Sequence, residues 1–479
     1  MTMRFDLSLI PPFVVTIRDL LAPAPVFLVG GMVRDSVAGA LRAGKEMVDR
    51  VEGTDWDLTT REQPRRVLSL LRSAGITVAT VGIDHGTVAA VQGQQQIEIT
   101  TFRSDGVYED GRHCQVRFAE TIEEDLERRD FTVNALAVDL SSGEIVDRFD
   151  GLADIRANII RTVGDPNTRF AEDYLRMLRA ARLAAKTEAA VDPETLEAIR
   201  RHASKITQVS AERIHDELMK MMTYRRPSHG LWILRKTGLL REILPETDSC
   251  FEVGQNQYHS DDVGTHLLNT VDAVSPRFPL LRVIALLHDL GKPERKHWMD
   301  DKQDYVFYGH QFPSAEKAVL MMRRLRFPTR EIDMAESIIE NHMVRLGPEA
   351  SPSSIRRLMR RVGRENIRAF LRLRIADRKA NRLKGSNLEP GLYHVIRTIR
   401  KIERDLDALK VTDLVIGGQD LIRMGLKPGP IFSEILHVLL DRVLDDPSLN
   451  TRQSLLPLAS EAARARGYQV QLPSDAQGD

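Results

Sequence analysis

The chain has 479 residues, 42% of them hydrophobic and 28% charged, the make-up of a globular protein about three domains long. Its 68 Lys and Arg balance 68 Asp and Glu, which excludes the strongly basic and strongly acidic classes, so any nucleic-acid footprint has to be local. No run approaches the ~20 apolar residues that span a bilayer, MTMRFDLSLIPPF lacks the form of a secretory signal, and Cys114 and Cys250 are too distant to suggest a disulfide framework or a zinc site, so a reducing cytoplasm is expected.

Up to about Asp150 short β-rich runs alternate with helical ones. VFLVGG, TVAAVQ, QIEITTFR and VNALAVDL have the β-branched, alternating pattern of strands. QPRRVLSLLRSAG reads as a helix stopped by Gly75. This part is therefore α/β or α+β. Phe27-Leu28-Val29 runs into Gly30-Gly31, and Val33-Arg34-Asp35 opens a helical stretch. A glycine pair after a strand lets backbone N–H groups approach phosphate, although many such pairs are only turns.

Asp55-Trp56-Asp57-Leu58 follows. On a strand, residues two apart face the same side, so both carboxylates would meet one small space. They repel each other unless a cation lies between them, and Mg²⁺ takes such oxygen ligands together with substrate phosphates. Glu98 in the next strand is either a third carboxylate of the set or an outward-facing residue.

From Gly151 onward the chain reads as mostly helical. EDYLRMLRAARLAAK has a 3.6-residue apolar period through Leu175, Leu178 and Leu183. On one helix, Asp173 and Arg176 share a face. A carboxylate accepts from an exocyclic amino group and an Arg donates to base acceptors, so two such groups can separate C and A from G and U. Glu172 and Arg176 are also spaced for a plain i,i+4 ion pair.

A third stretch, from about Phe251, is helical and rich in His. It carries His266, the adjacent pair His288-Asp289 inside the apolar run LLHDLGKP, then His310, His342 and Asp377. Buried charge needs a partner or a metal, and imidazole with carboxylate suits a divalent ion whose identity the residues leave open. Between Arg356 and Lys384, twelve Lys and Arg stand against Glu365 and Asp377, which reads either as an RNA footprint or as a solvated helix face. A last helical stretch, from about Pro390, holds the loop GLKPGP.

FLVGGMVRD followed by TDWDLTT resembles the nucleotidyltransferase head of bacterial tRNA nucleotidyltransferases and poly(A) polymerases, in the polymerase β superfamily. IDHGTVAAV, EITTFR, YEDGRHCQVRF, ERRDFTVNALA, IRTVGDPNTRFAEDYLRMLRAAR and SAERIHDEL resemble its further motifs in order. The H…HD…D pattern resembles the HD phosphohydrolase domain, which occurs in one class of these enzymes, and IGGQDLIRMGLKPGPIFSEIL resembles their tail. Two departures stand out: LRAGKEMVDRVEGT is longer than the loop expected between Gly39 and Asp55, and Cys114 replaces a usual Pro.

The resemblance implies a multidomain α+β chain. A head with a mixed sheet and helices would span residues 1–150, with an all-α neck over 151–248, an HD domain over 249–388 and a tail over 389–479. It implies that Asp55 and Asp57 are catalytic and hold Mg²⁺, and that Gly30, Gly31, Arg34, Arg129, Asp130, Asn134, Asp173, Arg176 and Arg179 bind nucleotide, with Arg129 and Asp130 on triphosphate and ribose. It assigns His266, His288, Asp289 and Asp377 to a divalent metal, and His310 and His342 to a second one. The implied partners are tRNA, CTP and ATP, with no membrane and no evident protein partner. The implied activity is addition of C, C and A to tRNA, with phosphatase or 2′,3′-cyclic phosphodiesterase action in the HD domain. Poly(A) polymerase, an A-only or CC-only adder, an HD phosphohydrolase with a merely nucleotide-binding head, and a non-catalytic RNA-binding module are the alternatives.

Overall fold

The structure, a computed structural model, describes residues 3–51, 55–80, 82–104, 117–257, 260–345, 347–381 and 390–472. Cys114 and Lys384 lie outside the described residues, as do most of YEDGRHCQVRF and the last three residues of the long loop before Asp55. The chain folds as two compact units, Met1–Asp248 and Ser249–Asp479.

The first unit is built on a mixed seven-stranded sheet. Its strands are β1 (Val26–Val29), β2 (Asp57–Thr60), β3 (Thr77–Ala79), β4 (Thr87–Gln92), β5 (Gln95–Thr101), β6 (Leu136–Asp139) and β7 (Ile145–Asp147), in the spatial order β7-β6-β1-β2-β5-β4-β3. All neighbours are antiparallel except β2 and β5. Strand alternation divides the apolar side chains between two faces. Val26 and Leu28 join one core cluster with Leu58, Ile97 and Ile99. Phe27 and Val29 join a smaller cluster on the other face with Phe102, Leu126 and Ala137. The larger cluster is covered by helices α1 (Pro12–Leu21), α2 (Gly31–Arg42) and α3 (Pro64–Ser73), which bury Ile17, Val33 and Leu71 in it. As read from the sequence, α3 stops just before Gly75, whose φ is +75°.

Helices follow the sheet. Asp165 accepts from Thr168 N at 2.9 Å and, with Pro166 next to it, starts α4 (Pro166–Glu172). Then come α5 (Leu175–Thr187) and α6 (Ala211–Met222). This region carries one small sheet element, a parallel pairing of Ile159–Ile160 with Ala190–Val191.

The second unit is helical. Helix α7 (Val263–Ala273) packs on α8 (Pro279–Leu287) and α11 (Ile367–Ala380), and α9 (Gln311–Arg324) packs on α10 (Thr329–Asn341). An antiparallel hairpin, β8 (His297–Met299) and β9 (Asp304–Val306), precedes α9. The helices of the last hundred residues include Pro430–Asp445, which begins directly after Gly429 in the GLKPGP loop.

Much of the Arg-rich stretch is internal structure. Arg356 is buried, donating to Leu444 O at 2.7 Å and Asp445 O at 3.0 Å and pairing with Asp407 at 3.1 Å. Arg357, Arg360 and Arg368 form ion pairs with Asp445, Asp441 and Glu403. These cations thus bind other parts of the same unit. Arg356→Ala is expected to cost about 2–4 kcal/mol, because two carbonyls and Asp407 lose their donor. Arg360→Ala, at an exposed pair, should stay within about 1 kcal/mol. Denaturant melts of the two variants check this.

Candidate active sites

In the first unit the loop between β1 and α2 faces the start of β2. Gly30 has φ +88°, a conformation open to glycine, and a Cβ there would lie 2.7 Å from Asp57 Oδ2. Glycine thus keeps the space beside this carboxylate clear. The register places Asp57 opposite Val29 on one side and Glu98 on the other, so Glu98 shares its face. Asp55 is exposed and lies just outside β2, two residues before the strand begins. Burial, then the charges of Glu98 and Asp55, push the Asp57 carboxyl up to about 6, against the pull of Arg129. Carboxylates gathered without a counter-ion are the arrangement a hard cation relieves, and the residues present fit Mg²⁺.

Beside them runs a continuous hydrogen-bonded chain. Arg34 Nη1 donates to Asn134 Oδ1 at 2.6 Å. Asn134 Nδ2 donates to Asp130 Oδ1 at 2.9 Å. Arg179 grips Asp130 Oδ2 through Nε and Nη2 at 2.8 and 2.6 Å. Phe131 N also donates to Asp130 Oδ1, at 2.9 Å. Burial disfavours charge on Asp130, yet Arg179 and Asn134 hold its carboxyl below the usual range. Four donors occupy this carboxylate, so a ribose hydroxyl reaches it only by displacing one. Arg129 donates to Asn134 O at 3.3 Å and pairs with the buried Asp125 at 3.2 Å. Asp125, which also binds Arg128, was not apparent from the sequence motifs; its signal is the i,i+3 and i,i+4 spacing to the two arginines.

Asp173 and Arg176 do not lie on one continuous helix. Helix α4 ends at Glu172, Asp173 is extended (φ −156°, ψ 104°), and α5 starts at Leu175. The reason is local: Asp173 Oδ1 accepts from Leu175 N at 3.1 Å, and an Asp competing for backbone N–H groups favours a helix start over a helix interior. Its other oxygen accepts from Arg213 Nη2 at 2.6 Å. Arg176 binds Glu172, the i,i+4 partner read from the sequence, and reaches the carbonyls of Arg169 and Arg128. A separate cavity of about 680 Å³, lined by Arg34, Asp35, Lys186 and Arg225 among others, includes neither Asp55, Asp57 nor Asp173.

The second unit gathers His266, His288, Asp289, His310, His342 and Asp377. The first five are each at most 3% exposed. Two groups place their ligand atoms within 4.8 Å of one another: His266, His288 and Asp289, and Asp289, His310 and His342. Asp289 belongs to both. The ring nitrogens are oriented from outside. Nδ1 of His288, His310 and His342 lies 2.7–2.8 Å from the carbonyls of Ala285, Phe307 and Ile339. A carbonyl only accepts, so each Nδ1 carries hydrogen and each Nε2 is the nitrogen turned toward the cluster. His310 Nε2 and His342 Nε2 face each other at 3.2 Å, and buried His288 Nε2 makes no well-directed hydrogen bond. His266 Nε2 is 3.0 Å from Asp377 Oδ1. These residues fit divalent metal, and the shared Asp289 suits two ions.

Burial opposes a positive His288, but Asp289 and Asp377 push it up to about 10, while burial and the neighbouring His288 and His310 press His342 down to about 4. Lys292 Nζ lies 2.7 Å from Asp289 Oδ2 and donates to Gln255 Oε1 at 2.7 Å. It is a participant missed in the sequence, although it sits one turn after the His-Asp pair. Gly291 lets the next segment close on the cluster: a Cβ there would lie 2.4 Å from His310 O.

Family models match the poly A polymerase head domain over residues 26–161, the probable RNA- and SrmB-binding site of polymerase A over 190–251, and the HD domain over 258–382. Fold and motifs together define a nucleotidyltransferase joined to an HD domain. A CCA-adding enzyme of Latilactobacillus sakei is 31% identical over 449 residues, 90% of this chain and 93% of that one. One from Levilactobacillus brevis is 43% identical over 214 residues, 44% of this chain and only 50% of that one. An A-adding tRNA nucleotidyltransferase of Deinococcus radiodurans is 28% identical over 443 residues, 90% and 92% of the two chains. The crystal structure of the Bacillus stearothermophilus CCA-adding enzyme in complex with CTP superposes with a TM-score of 0.70 at 26% identity, covering 96% of this chain and 99% of that one. The chain belongs to the CCA-adding enzyme family of tRNA nucleotidyltransferases.

The Asp57 environment gives a direct expectation. Its raised folded-state pKa means that its contribution to stability is full below about pH 4 and is lost as pH rises through about 6. In metal-free protein, Asp57→Asn should therefore gain about 1–2 kcal/mol over the parent at pH 7.5, after solvent screening, and little at pH 4. Melts at the two pH values in chelator measure it.

Proposed function

We propose that this chain adds C, C and A to the 3′ end of tRNA from CTP and ATP, and that its HD domain removes phosphate groups from RNA ends. The observation that carries the first part is full-length likeness to a CCA-adding enzyme combined with Gly30 keeping the space beside Asp57 clear. In this reading residues 1–150 are the head, 151–248 the neck, 249–388 the HD domain and 389–479 a tRNA-contacting tail.

Asp55 and Asp57 hold Mg²⁺, with Glu98 raising the local demand for positive charge. Two such ions, when bound, activate the primer 3′ hydroxyl and support the leaving pyrophosphate. Gly30 and Gly31 let backbone N–H groups meet the triphosphate at the start of α2, and Arg34 and Arg129 supply cationic donors beside it. Asp130 holds Arg179 and Asn134 in place, and accepts from the ribose once one of its donors is displaced. Asp173 exchanges Arg213 for the exocyclic amino group of cytosine or adenine, while Arg176 and Arg179 donate to ring acceptors. Guanine and uracil present a carbonyl where Asp173 needs a donor.

In the HD domain, His266, His288, Asp289 and Asp377 hold one divalent ion, and Asp289, His310 and His342 a second. Metal there supplies an activated water for phosphoester hydrolysis. The three backbone carbonyls that accept from Nδ1 fix which nitrogen of each ring faces the ion, and Lys292 steadies Asp289 and offers positive charge to a phosphate.

The likeness to the Deinococcus A-adding protein keeps A-only addition as the second reading. Extension of a tRNA transcript lacking CCA, in Mg²⁺, separates the two. Two additions with CTP alone and a third when ATP is supplied are expected. Addition only to a transcript already ending in CC would establish the A-adder, and a long ladder from ATP alone a poly(A) polymerase. Asp57→Ala should lower extension by about 10²–10³-fold, the scale of removing one group that stabilises charge in the transition state. Asp173→Ala should narrow the preference for CTP and ATP over GTP and UTP by about tenfold, the scale of one base contact; a uniform loss with all four nucleotides would remove the base-reading role.

A further inference from the structure

The HD cavity has a wall that none of the motifs accounts for. It measures about 880 Å³, and its lining includes Asp289, His310, His342 and Asp377 together with Tyr305 and Tyr308. Tyr305 lies on β9 and Tyr308 just after it. Trp298 on β8 is the cross-strand partner of Tyr305, and the two rings meet edge to face, centroids 5.3 Å apart. These three aromatics are 49% (Trp298), 39% (Tyr305) and 56% (Tyr308) exposed. A short hairpin that, with the residue shortly after it, presents three large rings to solvent is an interaction surface rather than core. Lysines are threaded through it: Lys296 Nζ lies 4.4 Å from the Tyr305 ring centroid and Lys302 Nζ 4.9 Å from that of Tyr308. Arg345 and Arg374 line the cavity as well.

A small phosphate needs only the metal-ligand floor. A cavity of nucleotide size with flat rings and alternating cations on one wall suits a phosphate ester that carries a planar heterocycle. Exposed aromatics interleaved with basic residues are the means by which unpaired nucleic acid is held, since every base has a face to stack. A base inside a duplex is already stacked and unavailable, and a phosphate monoester sits at a chain terminus, which together leave an unpaired end. Cations spread from Lys292 at the floor to Lys302 at the rim offer contacts to more than one phosphate, which a single nucleotide does not supply.

We propose that the β8–β9 hairpin and Tyr308 just after it form a stacking platform for the unpaired terminal base of an RNA, making the HD cavity selective for phosphate groups carried on an RNA end. This rests on the phosphohydrolase reading of the cavity, and the test separates the two. Trp298 reports on the site, with a Trp298→Phe protein subtracting emission from the other tryptophans. The full chain in chelator is titrated with a 3′-phosphorylated RNA trinucleotide, with cytidine 3′-monophosphate, and with glycerol 2-phosphate. Quenching by the trinucleotide is expected, weaker binding of the mononucleotide, none by glycerol 2-phosphate, and about tenfold weaker trinucleotide binding in Tyr308→Ala. Absence of quenching overturns the proposal, and mononucleotide binding as tight as the trinucleotide overturns the RNA assignment. With divalent metal restored, Tyr308→Ala should lower kcat/KM for the trinucleotide about tenfold, mainly through KM, and that for glycerol 2-phosphate less than twofold. Equal loss for both would make Tyr308 a structural residue. Quenching without hydrolysis of any phosphoester would sustain the platform and remove the phosphohydrolase reading.

Discussion

Buried carboxylates whose charge has to be compensated, Asp57 in one unit and Asp289 in the other, are the constraint on which both units are built. In the first, β2 and β5 pair so that Asp57 and Glu98 face the same side, and Gly30 keeps the flank of Asp57 bare. In the second, Asp289 is 2% exposed and shared by two clusters of ligand atoms. Such a group is costly unless hydrogen-bonded or paired. The two sites meet that cost differently. Asp57 is pushed toward its neutral form, whereas Asp289 stays ionised because His288 and Lys292 bring positive charge to it.

The residues proposed to meet nucleotide show a second kind of preorganisation. Arg34, Asn134, Asp130 and Arg179 come from a loop-proximal helix, a turn before β6 and a distant helix, yet hydrogen bonds join them end to end. The result is a set of donors held at fixed positions by a buried anion. Asp173 and Arg213 form a more exposed pair, suited to exchange when a base arrives.

Much of this was legible in the sequence. β1, β4 and β5 follow from their β-branched alternation, and α3 from its apolar period and the glycine after it. The His and Asp residues of the second unit were recognisable because an adjacent His-Asp pair inside LLHDLGKP is costly to bury without a ligand. The break at Asp173 was not, since the apolar period runs unbroken through Leu175 and Leu178 while a single side chain competes for the backbone. The structural use of Arg356 was hidden too, because its acceptors, Leu444 O and Asp445 O, lie almost ninety residues away. The hairpin before α9 has an alternation only three residues long on each strand, too short to distinguish from a loop.

If the two units act in sequence on one RNA, the decisive substrate is a CCA-lacking tRNA that ends in a 3′ phosphate. Incubated with CTP, ATP and divalent metal, the parent protein should strip the phosphate and add three nucleotides. Asp289→Asn should extend only the transcript with a free 3′ hydroxyl, and Asp57→Asn should strip the phosphate and then stop. Extension of the blocked transcript by Asp289→Asn, or loss of both steps in either variant, would contradict the account.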